Sequence, residues 1–221
     1  MGDIHGHFSA LVEGMRAIGF DASRDRLFSL GDMVDRGPES AQAMDWLKKP
    51  WFHAVRGNHE LMVCAAIRGE QDYVRYHQSV GGNWLHPIPP AERERIHQTL
   101  MDLPLAIEVQ TANGPIGLIH ADLPVDDWRY LREGKLSPRE ADYCVWSTDR
   151  YQRQYDIPVR NVRAVVHGHM TIPRMAVLGN VYFIDTHGGG DQGHFTFLEL
   201  ATLEERRGPG REYLNVHGRH G

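Results

Sequence analysis

The chain has 221 residues and a formal net charge of −5, enough for one domain with a substantial core and short for two. An acidic balance argues against a nucleic-acid binder, which carries a basic face. No apolar run is long enough to cross a bilayer and no charged-then-apolar leader is present, so a cytoplasmic protein without membrane partners is expected.

Phe8, Leu11, Val12, Met15 and Ile18 recur at helical spacing and predict a helix. Residues 26–30 predict a short strand ending at Gly31-Asp32, and residues 51–55 another ending at Arg56-Gly57-Asn58. The Gly/Pro-rich stretch 69–90 reads as a long loop. Residues 116–119 form an apolar strand leading into His120, residues 124–155 mix loop and helix, and residues 163–166 lead into His167-Gly168-His169. Residues 175–178, 181–184 and 195–198 predict antiparallel strands, with Gly179-Asn180 as a tight turn between the first two. From residue 204 to 221 the chain turns polar and Gly/Arg-rich without periodicity, which predicts a loose tail. Cys64 and Cys144 show no CxxC spacing, so a disulfide framework is not expected and a reducing compartment is.

One arrangement repeats: an apolar strand, then a polar residue at its carboxyl end, where α/β sheets bind ligands. Three blocks each put a metal-ligand residue next to glycine: Gly2-Asp3-Ile4-His5-Gly6, then Gly31-Asp32-Met33-Val34-Asp35-Arg36-Gly37, then Arg56-Gly57-Asn58-His59-Glu60. Carboxylate, imidazole and amide oxygen together suit a divalent metal with mixed O and N ligands. Fourteen histidines are available for that role, and histidine is the commonest metal ligand. The arginines suit a doubly charged phosphate, which a planar guanidinium grips with two parallel hydrogen bonds.

The pattern GDxHG, GDxVDRGPxS, RGNHE, then HA and GH, resembles the metal-dependent phosphoprotein phosphatases of the calcineurin-like superfamily. Residues 50–60 and His120-Ala121-Asp122-Leu123-Pro124 look most like the bacterial and bacteriophage-lambda-type serine/threonine protein phosphatases. The resemblance runs from Gly2 to about residue 200. It implies an α/β sandwich of two mixed β-sheets flanked by helices, with residues 1–203 as the catalytic domain. It also implies two divalent metal ions, with manganese favoured and iron or zinc as alternatives. Asp3 and His5 would bind one metal, Asp32 would bridge both, and Asn58, His120 and His169 would bind the second. Direct attack on phosphorus by a hydroxide held between the metals would follow, with Arg36 and Arg56 holding the phosphate oxygens. His59 would act as general acid and Asp35 would orient it. The expected substrates are phosphoserine and phosphothreonine in proteins, phosphotyrosine as an extension, and small phosphomonoesters.

Two departures from the resemblance carry expectations of their own. Only Met1 precedes the first block: either the chain begins upstream or a central strand is missing, and a missing strand would leave Asp3 and His5 on a frayed terminus with a weak first metal site. Thr148 stands where the branch places a further phosphate-facing arginine, and Arg150 is the substitute expected to bind substrate. His167 is expected to be structural or to support a ligand, and His187 to be incidental. His7, His53, His77, His86, His97 and His194 are expected to be ordinary, with His217 and His220 in the solvated tail. Two rival functions share the metal blocks: a hydrolase of diadenosine tetraphosphate and related dinucleotides, and a metal-binding scaffold without catalysis. Asp35 favours the phosphatase, since the resemblance implies that symmetrically cleaving dinucleotide hydrolases lack an aspartate there.

Overall fold

The computed structural model describes residues 1–188 and 193–211. In chain order the elements are α1 (Phe8–Ala17), β1 (Leu27–Ser29), α2 (Ala43–Trp46), β2 (Phe52–Ala54), α3 (Asn58–Ile67), α4 (Gln71–Ser79) and α5 (Pro90–Met101). There follow β3 (Ala106–Thr111), β4 (Gly114–Ile119), α6 (Arg129–Arg132), α7 (Pro138–Trp146), α8 (Asp149–Gln152), β5 (Ala164–His167), β6 (Ala176–Leu178), β7 (Val181–Phe183), β8 (Gly193–Glu199) and β9 (Glu204–Arg211).

The layers follow from which side chains each element buries. Alternate residues of β4 and β5 point to opposite faces. Ile116, Leu118, Ala164 and Val166 meet Leu30, Val55, Ile184 and Leu198 in a central core between sheets. On the far face Ile119, Val165, Val181 and Phe183 pack against Trp128, Leu123 and Cys144 from the region of α6 and α7. On the other side Leu27, Phe52 and Ala54 of β1 and β2 are covered by Phe8, Leu11 and Met15 of α1, Trp46 of α2, Val63 of α3 and Ile96 of α5. The result is helices, sheet, sheet, helices, a mixed α/β sandwich in agreement with the expected class.

The larger sheet runs β3-β4-β5-β7-β6, with β4, β5 and β7 parallel and β3 and β6 antiparallel at its edges. β1 and β2 pair in parallel. Within each of these sheets the parallel strands deliver their carboxyl ends to one edge. The turn at Gly179-Asn180 is formed as read, and Asn180 also locks the neighbouring segment by accepting from the Val159 amide and donating to its carbonyl. No helix among the described residues is long and apolar enough to cross a membrane.

Three sequence expectations need correction. The stretch 69–90 holds α4 and a 3-10 turn, Gly82–Leu85, and is not a long loop. Glycines at both ends and polar residues between them hide the helix. The polar segment from residue 204 begins as β9, paired antiparallel with β8. Apolar alternation does not specify it. Arg206 pairs with Glu199 across the strands, and Gly208 sits so close to Gly14 of α1 that a Cβ there would come within 3.0 Å of the helix backbone. Residues 212–221, with His217 and His220, lie outside the described residues. The first block is not frayed: the Met1 amine donates to the Phe28 carbonyl at 2.9 Å, its own carbonyl accepts from the Leu30 amide at 3.1 Å, and Asp3 and His5 are buried.

Cys64 and Cys144 are free and buried, and burial pushes both thiols up to about 12. Neither is expected to alkylate in the folded protein at neutral pH, because the reactive species is the thiolate. Intact-mass measurement after iodoacetamide should show no adducts until denaturant is added.

Candidate metal centre

The rim at the carboxyl ends of the parallel strands gathers the predicted ligands. Asp32 follows β1, Asn58 follows β2, His120 follows β4, His169 follows β5, and Asp3 and His5 come from the segment beside β1. They form a closed chain of contacts. His5 Nε2 lies 3.9 Å from both Asp3 Oδ2 and Asp32 Oδ2. His120 Nε2 is 3.4 Å from Asp32 Oδ1 and 2.9 Å from Asn58 Oδ1. The His120 and His169 rings are 4.9 Å apart, and the His169 amide donates to Asp3 Oδ1 at 3.0 Å. Two overlapping groups, His5–Asp32–His59 and Asp32–His120–His169, each place three ligand atoms within 4.8 Å, and Asp32 belongs to both.

Backbone contacts aim these side chains. His5 Nδ1 donates to the Val34 carbonyl at 3.1 Å and His120 Nδ1 to the Leu30 carbonyl at 2.6 Å, which turns each Nε2 inward toward the cluster. Burial holds His5 down at about 3 and His169 at about 4, so both are neutral near pH 7. Burial opposes a charged His120 as well, but Asp32 outweighs it and holds His120 up at about 10. Asp3 is pushed well above the usual carboxylate range, first by burial and then by the charges of Asp185 and Asp32. Buried like charges of this kind are costly without a cation between them. A mixed set of carboxylate, amide and imidazole donors around such charge fits divalent metal ions.

Glu60, quoted in the third block without a role, is the organiser of these loops. Its carboxylate accepts the amides of Asp32, Met33 and Gly57, all at 2.8 Å. Asp185 was missed altogether. It follows β7 by the same strand-then-polar rule that found the others, is buried, and accepts from Thr171 Oγ1 at 2.8 Å and the His187 amide at 3.1 Å. Several loop residues hold left-handed backbone angles that disfavour side chains: φ is 45° at His5, 47° at Asp32, 69° at Asp35, 63° at Arg36 and 59° at His169. Strain of that kind concentrates at functional sites.

Beside the cluster, His59 Nδ1 is 2.7 Å from Asp35 Oδ2, and its amide donates to Asp32 Oδ1 at 2.9 Å. Burial disfavours a charged His59, yet the Asp32 charge and the Asp35 hydrogen bond together raise it above its ordinary value. Arg36 is exposed, and its charge reaches His5, His59 and Asp185. No hydrogen bond or ion pair among the described residues occupies its guanidinium. Arg56 is half-buried and differs: an Nη donates to the Met101 carbonyl at 2.9 Å, anchoring it to the end of α5. Arg150 corrects the expectation of a phosphate-binding substitute. It is buried, and its guanidinium is committed to Asp122, Asp126 and the carbonyls of Tyr155 and Ile157. His167 is fully buried against Phe183 with both ring nitrogens unpartnered among the described residues, and burial holds it well below its usual value. His77, expected to be ordinary, is buried against Asp35.

A sandwich with a buried Asp/His/Asn cluster at its strand ends offers the mixed oxygen and nitrogen donors that divalent metal ions take. The chain belongs to the calcineurin-like phosphoesterases, whose family model matches residues 1–185, and it is therefore a phosphoester hydrolase of a family that uses divalent metal ions. It is 31% identical over 206 residues to serine/threonine-protein phosphatase 2 of Salmonella typhimurium, covering 90% of this chain and 91% of that one. It is 37% identical over 81 residues to the symmetrical bis(5'-nucleosyl)-tetraphosphatase of Methylobacillus flagellatus, covering 36% of this chain and 28% of that one. A crystal structure of a provisionally assigned diadenosine tetraphosphatase superposes with a TM-score of 0.66 at 22% identity, covering 95% of this chain and 91% of that one. That likeness concerns the fold.

Proposed function

We propose that the protein is a phosphomonoesterase acting on phosphoserine and phosphothreonine in proteins, with the buried His59–Asp35 pair as the observation that carries this reading. A phosphomonoester with an alkyl leaving group needs a proton on the departing oxygen, and His59 stands beside the ligand cluster with Asp35 holding its Nδ1 at 2.7 Å. Asp3, His5 and Asp32 would hold one divalent metal, and Asp32, Asn58, His120 and His169 a second, with manganese proposed. Bound there, such cations lower the pKa of water and offset phosphate charge. Arg36, exposed at the mouth and unpaired among the described residues, would grip the non-bridging oxygens. Arg56 would join it by leaving Met101; its buried Nε has no hydrogen-bond partner among the described residues.

Identity sustained over length supports the same reading, since the protein phosphatase matches at 31% over 91% of its length, whereas tetraphosphatases match at 37% over 28% or at 25% over 81% of theirs. The second reading, a dinucleoside tetraphosphate hydrolase, draws on the higher local identity of that shorter match. Metal-stripped protein reloaded with Mn²⁺ should be offered a phosphoserine peptide and diadenosine tetraphosphate at equal concentration. The proposal expects the peptide to be favoured in kcat/KM by at least about tenfold, a difference of roughly 1.4 kcal/mol in transition-state binding. Preference for the dinucleotide would replace it with the second reading.

A further inference from the structure

We propose that His77 and Trp84 are positioning residues: they lock the carboxylate of Asp35, and through it the His59 imidazole, in the geometry for protonating the leaving oxygen. The inference rests on the phosphomonoesterase reading and names two residues beyond it. Asp35 is fully buried and accepts from three side chains. His59 Nδ1 takes Oδ2 at 2.7 Å, while His77 Nε2 at 2.8 Å and Trp84 Nε1 at 2.7 Å share Oδ1. With His59 alone the carboxylate could swing about its side-chain torsions. Two further donors on the other oxygen fix its plane, and with it the direction of His59 Nε2.

Helix α4 is built for this contact. His77 is its one buried residue, 2% exposed, while its other residues are half-buried or exposed. An aliphatic side chain there would add apolar burial at no polar cost, so packing does not account for an imidazole. The two glycines that follow complete the clamp. Gly82 lies flat on the His77 ring, where a Cβ would come within 2.3 Å of it. Gly81, at φ +99°, packs on the Arg36 backbone, where a Cβ would come within 2.3 Å of the amide nitrogen. One segment thus braces both Asp35 and Arg36, neighbours that share the left-handed angles given above. Braces of this kind are what keep strained backbone in place at a working site.

The test separates proton donation from everything else by the choice of leaving group. His77→Phe and Trp84→Phe keep a ring and remove the donor, and His77→Gln restores an N–H. Each variant, with Mn²⁺, is assayed on a phosphoserine peptide and on 2,4-dinitrophenyl phosphate, whose leaving group departs without a proton. Thermal unfolding confirms that each variant is folded. The proposal expects kcat on the peptide to fall about tenfold or more in the Phe variants, part of the about 10²–10⁴-fold that a general acid supplies. On dinitrophenyl phosphate kcat should fall less than about threefold, and His77→Gln should recover most of the peptide rate. Parallel losses on both substrates, or no loss on either, would overturn the positioning role and leave the phosphomonoesterase standing. Failure of the unaltered protein to hydrolyse either substrate would overturn that reading and this one together.

Discussion

Replacing His59 with asparagine is expected to lower turnover of a phosphoserine peptide by about 10²–10⁴-fold, the range general acids supply, while the protein stays folded. Asparagine keeps a polar side chain of similar reach, so Asp35 is not stranded without a donor on that side. It cannot deliver a proton. The His59 amide bond to Asp32 survives, because it belongs to the backbone at the start of α3. Metal uptake should therefore be close to unchanged, and calorimetric titration with Mn²⁺ checks this directly. A variant that loses metal along with activity would mean that His59 acts as a ligand, as its place in the His5–Asp32–His59 group allows, and the general-acid assignment would fall.

The second large effect is expected at Asp32, which both ligand groups share. Asp32→Asn removes the charge that would lie between two cations. Activity should drop by at least about 100-fold, since even outer partners of ligands cost about 10–100-fold. A readout independent of turnover is available. Metal at 100 times its dissociation constant stabilises a protein by about 2.7 kcal/mol, which for a chain of this size raises the unfolding midpoint by roughly 5–11 °C. The unaltered protein should show that rise on adding Mn²⁺ to the stripped form, and Asp32→Asn should show little of it. An equal rise in both would remove Asp32 from the metal centre.

Asp32, Asn58, His120 and His169 were legible because each sits just after an apolar strand, so local pattern and position agreed, while Asp3 and His5, with only Met1 before their block, were legible from the block alone. The layered core was legible for the same reason: strand and helix periodicities in residues 8–18, 26–30, 51–55, 116–119 and 163–166 all survive in the structure. What was hidden had no apolar signature. Helix α4 buries an imidazole and displays Tyr73 and Tyr76 to solvent, so hydrophobic spacing could not reveal it. Strand β9 is held by a charged pair and a glycine contact instead of alternating side chains. Arg150 looked available because sequence shows a neighbour's identity and not its direction; Asp122 and Asp126 claim it from 28 and 24 residues away. Asp185 obeyed the rule that found its companions, and applying that rule to the strand at residues 181–184 would have recovered it.

The hydrogen bond from the His169 amide to Asp3 spans 166 residues of chain. Contacts between such distant positions slow the folding of a polypeptide, because closing a long loop costs entropy before any reward arrives. The cluster cannot exist on a half-wound intermediate that lacks either partner, however much helix and strand that intermediate already holds. Divalent affinity should accordingly emerge late in refolding, after the bulk of the far-ultraviolet signal. A cation taken up at that moment would act as a clasp between the two ends of the chain's route, slowing its reopening.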